Sequence, residues 1–214
     1  QARMIEYATL FGELHVVVFS RMGQTASKKL RIAPNCWVYA TGSLSRWFYI
    51  FGAIRIGKLI VQNGTDWVVD TQDPFECGLA ALRIAKRFRL PLHVQIHTDF
   101  LSPLFSRWIL NRVRVFLARI VLPQAHGIRV VSLRIKVSLA ASGLSLKVVP
   151  VVLPIFSDFT KVLVPAPILD LKQKYPEWNF IILVAGRLSA EKNVGFALAV
   201  LKKLAATYPK IGLV

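Results

Sequence analysis

Short runs of β-branched and aromatic residues alternate along this chain with longer segments in which apolar residues recur every three or four positions. This alternation predicts repeated strand–helix–strand units, which fold into a mainly parallel sheet with helices on its faces. The predicted strands lie at residues 15–20, 37–41, 67–71, 92–97, 127–132 and 147–153. The predicted helices lie at residues 44–61, 75–88, 103–122 and 133–141. We therefore expect a doubly wound α/β domain, in which ligands bind at the carboxyl ends of the strands.

The alternation breaks in a proline-containing stretch, and we predict a linker at residues 155–167 after a first domain at residues 1–154. A short helix, a buried strand at 180–185 and an amphipathic helix at 194–207 then begin a second α/β domain within residues 168–214. Neither end resembles a natural terminus, so we expect the chain to be part of a longer protein.

Composition excludes several classes of protein. Of the 214 residues, 54% are hydrophobic, which is enough apolar surface to exclude intrinsic disorder. Cys36 and Cys77 lack the spacing of a metal site, so we expect both to be reduced core residues of a cytosolic chain. No window is apolar over the roughly 18–20 residues that a membrane-spanning helix needs.

The chain is strongly basic, with 28 Lys and Arg against 11 Asp and Glu and a net charge of +17. No acidic residue occurs at 100–157, and Arg112 and Arg119 lie seven residues apart on one predicted helix. The apolar residues interleaved with them are Trp108, Val115 and Phe116. This pattern indicates an anionic membrane surface as a partner. Nucleic acid is the less favoured partner because no nucleic-acid-binding motif is present, and a basic composition without a specific partner is the remaining alternative.

The strongest local motif is GRLSAEKN at residues 186–193, between a predicted strand and a predicted helix. Gly186 permits close approach of a ligand to the backbone, and the helix N-terminus offers N–H groups to an anion. Arg187 and Lys192 add a planar and a point-like cation, a combination that suits a diphosphate. The alternative is a solvated loop without a ligand.

Two further motifs follow predicted strands. His97 and Asp99 lie at the carboxyl end of the strand LHVQIH, where a polar side chain is well placed for a ligand. Asp99 would orient His97 or bond the loop backbone, and His97 could instead cap the strand. Asp73 and Glu76 are interpreted first as the N-cap and capping-box residues of a helix that begins with a proline, and Gly78 as a point of close approach.

The segment FIILVA followed by GRLSAEKN resembles the donor-binding loop that opens the C-terminal domain of family 4 glycosyltransferases, which have the GT-B fold of two Rossmann-like domains. Upstream, TQDPFECGLAALRIAKRFRLPLHVQIHTDF and AHGIRVVS resemble the N-terminal, acceptor-side domain of that family. The resemblance extends from about residue 3 to the end of the chain. It implies a GT-B N-terminal half followed by the first βα unit of a second Rossmann-like domain.

The resemblance also implies an activity, namely transfer of a sugar, with retention, from a nucleoside diphosphate to a hydroxyl acceptor that is lipid-linked or a glycan. Arg187 and Lys192 would hold the donor diphosphate, with Gly186 and Asn193 completing the loop. His97 would contact a sugar near the reaction centre. The possible acceptor contacts are Asp73, Glu76 and Asp99.

Neither a metal nor an organic cofactor is expected, because fixed cations take the metal's role and no Asp-x-Asp pair is present. The expected location is the cytoplasm, peripherally at the inner face of the plasma membrane. The family's first strand with its Gly-rich loop and its paired glutamates are not among these 214 residues, so we expect little or no transferase activity from this chain alone. The alternative function is a non-catalytic basic α/β module that binds nucleic acid or an anionic membrane.

Overall fold

The structure is a computed structural model that describes residues 2–24, 28–61, 66–156, 169–188 and 192–214. It divides into two compact units, Gln1–Ile155 and Phe156–Val214. The helices of the first unit are α1 (Ala2–Phe11), α2 (Tyr49–Val61), α3 (Glu76–Phe88), α4 (Ile109–Val121) and α5 (Leu133–Ala141). Its strands are β1 (Leu14–Val18), β2 (Lys29–Ala33), β3 (Cys36–Ala40), β4 (Val69–Thr71), β5 (Leu92–Ile96), β6 (Gly127–Val130) and β7 (Val151–Val152).

The strands of the first unit form two sheets. One has the order β1-β3-β2, and the other, which is parallel throughout, has the order β4-β5-β6-β7. The buried core lies on one face of the parallel sheet, where Val94 and Ile96 of β5 and Val130 of β6 pack with α3, α4 and α5. The expected Rossmann-like α/β architecture is thereby confirmed.

Strand β2 was not predicted from the sequence, and it pairs with β3 antiparallel. Its first three residues, Lys29 to Arg31, are exposed, and two of them are cations. A short, charged edge strand resists pairing with other chains. Because such a strand shows little alternation of apolar and polar residues, the sequence does not reveal it. The sheet that contains β2 is therefore mixed and not purely parallel.

Several helices and strands are shorter than predicted. The segment predicted as one helix at 103–122 contains a 3₁₀ turn at Phe105–Arg107 and then α4, because Trp108 between them has extended backbone angles. Likewise a 3₁₀ turn at Arg46–Phe48 precedes α2. The strand predicted at 147–153 is reduced to β7, which begins after Pro150, a residue without an N–H group for a ladder.

The second unit contains α6 (Leu171–Lys174), β8 (Phe180–Ile182), α7 (Val194–Thr207) and β9 (Ile211–Leu213). Strands β8 and β9 are parallel neighbours, so this unit has the expected βαβ arrangement. The prediction of a buried strand at 180–185 was wrong, because Phe180 and Leu183 are exposed. Within the described residues β8 pairs with one neighbour only, which leaves part of its surface uncovered. The predicted linker lies almost entirely outside the described residues.

Free cysteines occur at the two expected positions, with Cys36 buried and Cys77 partly buried. Burial raises the pKa of both thiols, and for Cys77 the neighbouring Asp73 carboxylate raises it further. Neither thiol is therefore activated as a nucleophile. In the described ranges of the chain, no helix has both the length and the apolar content needed to cross a bilayer.

Candidate functional site

The predicted site residues fall in two places, one in each unit. His97, Asp99, Asp73 and Glu76 lie in the first unit, near the carboxyl ends of β4 and β5. Because these strands are parallel neighbours, their carboxyl ends share one edge of the sheet. The loop that contains Gly186 and Lys192 lies in the second unit, before α7.

His97 directly follows β5 and is half-buried. Its Nε2 atom is buried and has no hydrogen-bond partner among the described residues. Burial lowers the pKa of His97, and the positive charge of Arg129 lowers it further, whereas Asp70 and Asp73 act in the opposite direction. The ring is therefore neutral at pH 7, and a buried unpaired nitrogen costs about 1–3 kcal/mol that a ligand hydroxyl could recover.

The expectation that Asp99 orients His97 was wrong. Asp99 Oδ2 accepts hydrogen bonds from Arg134 on α5, at 3.1 Å from Nε and 3.0 Å from Nη2. Its Oδ1 atom is buried without a partner among the described residues, so it makes no bond to His97. Hydrogen bonds between an ionised guanidinium and a carboxylate are among the stronger ones in proteins. Asp99 therefore positions Arg134.

The capping interpretation was right about the bond that Asp73 makes and wrong about Glu76. Helix α3 begins at Glu76, so the N-cap position falls on Phe75, which makes no side-chain cap bond. Asp73 Oδ1 nevertheless accepts a 2.8 Å bond from the Phe75 N–H two residues later, which is the bond expected of an N-cap residue before Pro74. Glu76 pairs with Arg114 of α4 at 3.0 Å, because that guanidinium is a stronger donor than a backbone N–H.

Gly78 does mark a close approach, but to a helix. A Cβ atom at Gly78 would lie 2.9 Å from the Asp73 carbonyl oxygen and 3.2 Å from Val121 Cγ1 at the end of α4. Together with the Glu76–Arg114 pair, this contact fixes α3 against α4 and thereby holds the turn that carries Asp73.

A polar network beside His97 was not predicted. Arg129 Nη1 donates to Gln95 Oε1 at 2.7 Å, and Gln95 Nε2 donates to Asp70 Oδ2 at 2.9 Å. His93 Nδ1 lies 2.5 Å from Asp70 Oδ1. These residues alternate with buried ones along their strands, so the pattern in LHVQI and GIRV was the available signal. The network gives the second face of the parallel sheet a polar surface beside His97.

Arg129 also fixes the end of the first unit. Its Nε donates to the Leu153 carbonyl at 3.0 Å, and its Nη2 donates to the Pro154 carbonyl at 3.1 Å. The same guanidinium thus orders the chain just before the boundary at Ile155 and lowers the pKa of His97.

In the second unit, Gly186, Arg187 and Lys192 are exposed. The Lys192 side chain runs beside Gly186, since a Cβ at that glycine would lie 3.5 Å from Lys192 Cγ. Asn193 precedes α7 with left-handed angles (φ 47°, ψ 44°) and makes no side-chain cap bond. Among the described residues neither Arg187 nor Lys192 forms an ion pair. Ser189, Ala190 and Glu191 of this loop lie outside the described residues.

The loop therefore presents two cations at the N-terminus of a helix of 14 residues. The N-terminal end of such a helix carries a partial positive charge and backbone N–H groups, which favour an anion. Across the described ranges, no three His, Cys, Asp or Glu side chains gather as a metal site would require. The exposed Arg187 and Lys192 beside this helix N-terminus are suited to an anion.

The fold matches that of trehalose-6-phosphate synthase, an enzyme whose glycosyl transfer with retention was studied with bisubstrate glycomimetics. The TM-score is 0.63 at 14% identity, over 99% of this chain and 60% of the synthase chain. The chain has a Rossmann-like fold of the GT-B type. It spans 60% of the synthase's length, and at this identity the likeness concerns the fold alone.

Two other solved structures are more distant. UDP-N-acetylglucosamine 2-epimerase from Rickettsia bellii has a TM-score of 0.49 at 13% identity, over 100% of this chain and 52% of the epimerase. MnaA of S. aureus, solved with UDP, has a TM-score of 0.48 at 14% identity, over 94% of this chain and 60% of MnaA. Neither likeness is strong enough to carry an argument. No protein-family model and no curated protein matches the sequence.

The protonation of His97 is directly measurable, because the chain has only 4 histidines and a His97→Gln variant identifies the imidazole signal of His97. We expect long-range ¹H–¹⁵N spectra to give a midpoint below the ordinary histidine pKa of 6.5. The unfolded chain then binds a proton that the folded chain does not, so stability decreases as the pH falls through 6.5. A midpoint at or above the ordinary value would contradict the assigned burial.

Proposed function

We propose that the chain carries the donor-diphosphate site of a retaining glycosyltransferase. The reaction would transfer a sugar from a nucleoside diphosphate to a hydroxyl acceptor that is lipid-linked or a glycan. The observation that supports this proposal is the position of Arg187 and Lys192, two cations without a described ion-pair partner, beside Gly186 at the N-terminus of α7. The GT-B-type fold is consistent with a loop of this function.

The electrostatics of the loop fit the bond that breaks. When the bond between the anomeric carbon and the diphosphate oxygen breaks, negative charge accumulates on the departing diphosphate. Arg187 can hold two phosphate oxygens in one plane, and Lys192 can supply a compact point charge beside them. Fixed positive groups that meet a developing charge lower the free energy of the transition state.

In the first unit, His97 supports a role as a sugar contact. Its ring is neutral, and its unpaired Nε2 can accept a hydrogen bond from a hydroxyl or donate one, according to the tautomer. Asp73 is engaged with the Phe75 N–H, and Glu76 with Arg114, so these carboxylates shape the turn. We therefore assign acceptor contact to His97 ahead of Asp73, Glu76 and Asp99.

The proposal is tested by calorimetric titration of the chain with UDP, GDP and ADP and with the matching monophosphates. We expect one diphosphate to bind at least about tenfold more tightly than its monophosphate, because a second phosphate adds a charge-assisted hydrogen bond of about 1.5–3 kcal/mol. Equal affinities within every pair, or no binding of any diphosphate, would contradict the proposal.

A further inference from the structure

Helices α2, α3 and α4 pack side by side in the first unit. Helix α2 meets α3 where Gly57 faces Ile84, since a Cβ atom on that glycine would overlap Ile84 Cδ1. Helix α3 meets α4 where Gly78 faces Val121. Close contacts at glycines bring the three helices into one row, which we call the helix layer.

The side of the helix layer that is turned away from the core is basic. All residues of the three helices are described, and the single carboxylate among them, Glu76, is neutralised by Arg114. The exposed cations are Arg55, Lys58, Arg83, Lys86, Arg87, Arg112 and Arg119. Cations from consecutive helices therefore share one surface. This grouping was not predicted, because the three helices are far apart in the sequence.

The same surface exposes large apolar side chains. Phe51 and Leu59 of α2 are 69% and 62% exposed. On α4, Ile109, Val113 and Phe116 are 81%, 51% and 62% exposed, and their spacing places them on one helix face. Val115, predicted to belong to this face, instead packs against the core. The exposed apolar side chains thus lie on the two outer helices, with the cations of α3 between them, and large exposed apolar groups indicate an interaction site.

We infer that the helix layer docks on an anionic lipid bilayer, with the helices lying in the plane of the surface. The aromatic and aliphatic side chains would enter the interfacial region while the cations meet lipid phosphates. A second copy of the chain is a poor occupant, because a symmetric contact would bring the seven cations against themselves. A nucleic acid would use the cations but would leave Ile109 and Phe116 in water. This inference goes beyond the proposed transferase function and holds independently of it.

The test is sedimentation of the chain with phosphatidylcholine vesicles that contain roughly one third phosphatidylglycerol. One variant removes a cation from each helix: Lys58→Gln, Lys86→Gln and Arg119→Gln. Its matched control, Lys202→Gln, Lys203→Gln and Lys210→Gln, removes the same charge from the second unit. We expect the first variant to lose about 100-fold in vesicle affinity, from about fivefold for each cation near the surface, and the control to lose less than about threefold.

The apolar contribution is tested separately. Phe51→Ser with Phe116→Ser should lower vesicle affinity at least about tenfold, whereas Leu10→Ser with Phe11→Ser on α1, which are equally exposed, should not. Circular dichroism establishes that each variant is folded. The inference is overturned by absence of vesicle binding, by equal losses in variants and controls, or by tighter binding to a duplex oligonucleotide at the same ionic strength. A dimer that the Phe51 and Phe116 changes dissociate, without vesicle binding, would also overturn it.

Discussion

The double variant Arg187→Ala, Lys192→Ala is expected to show no measurable nucleoside diphosphate binding by calorimetry. Each cation contributes a charge-assisted hydrogen bond to phosphate of about 1.5–3 kcal/mol, so the pair together accounts for several orders of magnitude in affinity. Both side chains are exposed, and neither supports the packing of the second unit. The substitution should therefore leave the unfolding transition unchanged.

The matched control for this variant is Lys202→Ala, Lys203→Ala. These lysines lie on α7 itself, one to two turns from its C-terminal end, and are also exposed. The control removes equal charge from the same unit and should keep the affinity of the unmodified chain within about threefold, because long-range charge is screened over about 10 Å at ordinary salt. Equal loss in both variants would show that net charge, and not the loop, attracts the diphosphate.

Replacement of Phe100 by Ala is expected to be the most destabilising single change near His97. Phe100 is 1% exposed, and its ring meets Phe75 edge-on at 5.7 Å. Its N–H donates to the Thr98 carbonyl at 2.9 Å, so this side chain anchors the turn that carries His97 and Asp99. Removal of a buried Phe costs about 3–5 kcal/mol, because lost burial and a new cavity add together.

Urea unfolding followed by circular dichroism measures the effect of Phe100→Ala. Phe116→Ala is the control, since Phe116 is 62% exposed and its truncation should change stability by less than about 0.5 kcal/mol. Phe100→Leu provides a milder variant that should remain folded if the alanine variant does not, with a loss of less than about 1.5 kcal/mol. If all three variants had the same denaturation midpoint, Phe100 would not be part of the core.

The bounds of two helices could be predicted from local sequence signals. Helix α5 was predicted at its observed bounds, and its N-cap, Ser132, accepts a bond from the Ile135 N–H. Helix α7 was also predicted at its observed bounds, after the glycine-containing loop. In both cases a capping or turn residue precedes an apolar segment of period 3.6, so the sequence contains the start signal and the helical pattern together.

The polar arrangement around His97 was not predictable in the same way. The Arg129–Gln95–Asp70 network depends on which residues face each other across β4, β5 and β6, and that register is fixed by packing on the other face of the sheet. The partner of Asp99 lies 35 residues away on α5, and the partner of Glu76 lies 38 residues away on α4. Motif spacing identified where polar residues gather, but their pairing required the tertiary structure.

We propose that the loop from Gly186 to Asn193 binds the diphosphate of a nucleotide-sugar donor. The most direct measurement is a crystal structure of the chain with the nucleoside diphosphate that binds most tightly in the calorimetric series. We expect phosphate oxygens within hydrogen-bond distance of Arg187 and Lys192, at the N-terminus of α7. A diphosphate found elsewhere, with Arg187 and Lys192 in contact only with water, would contradict it.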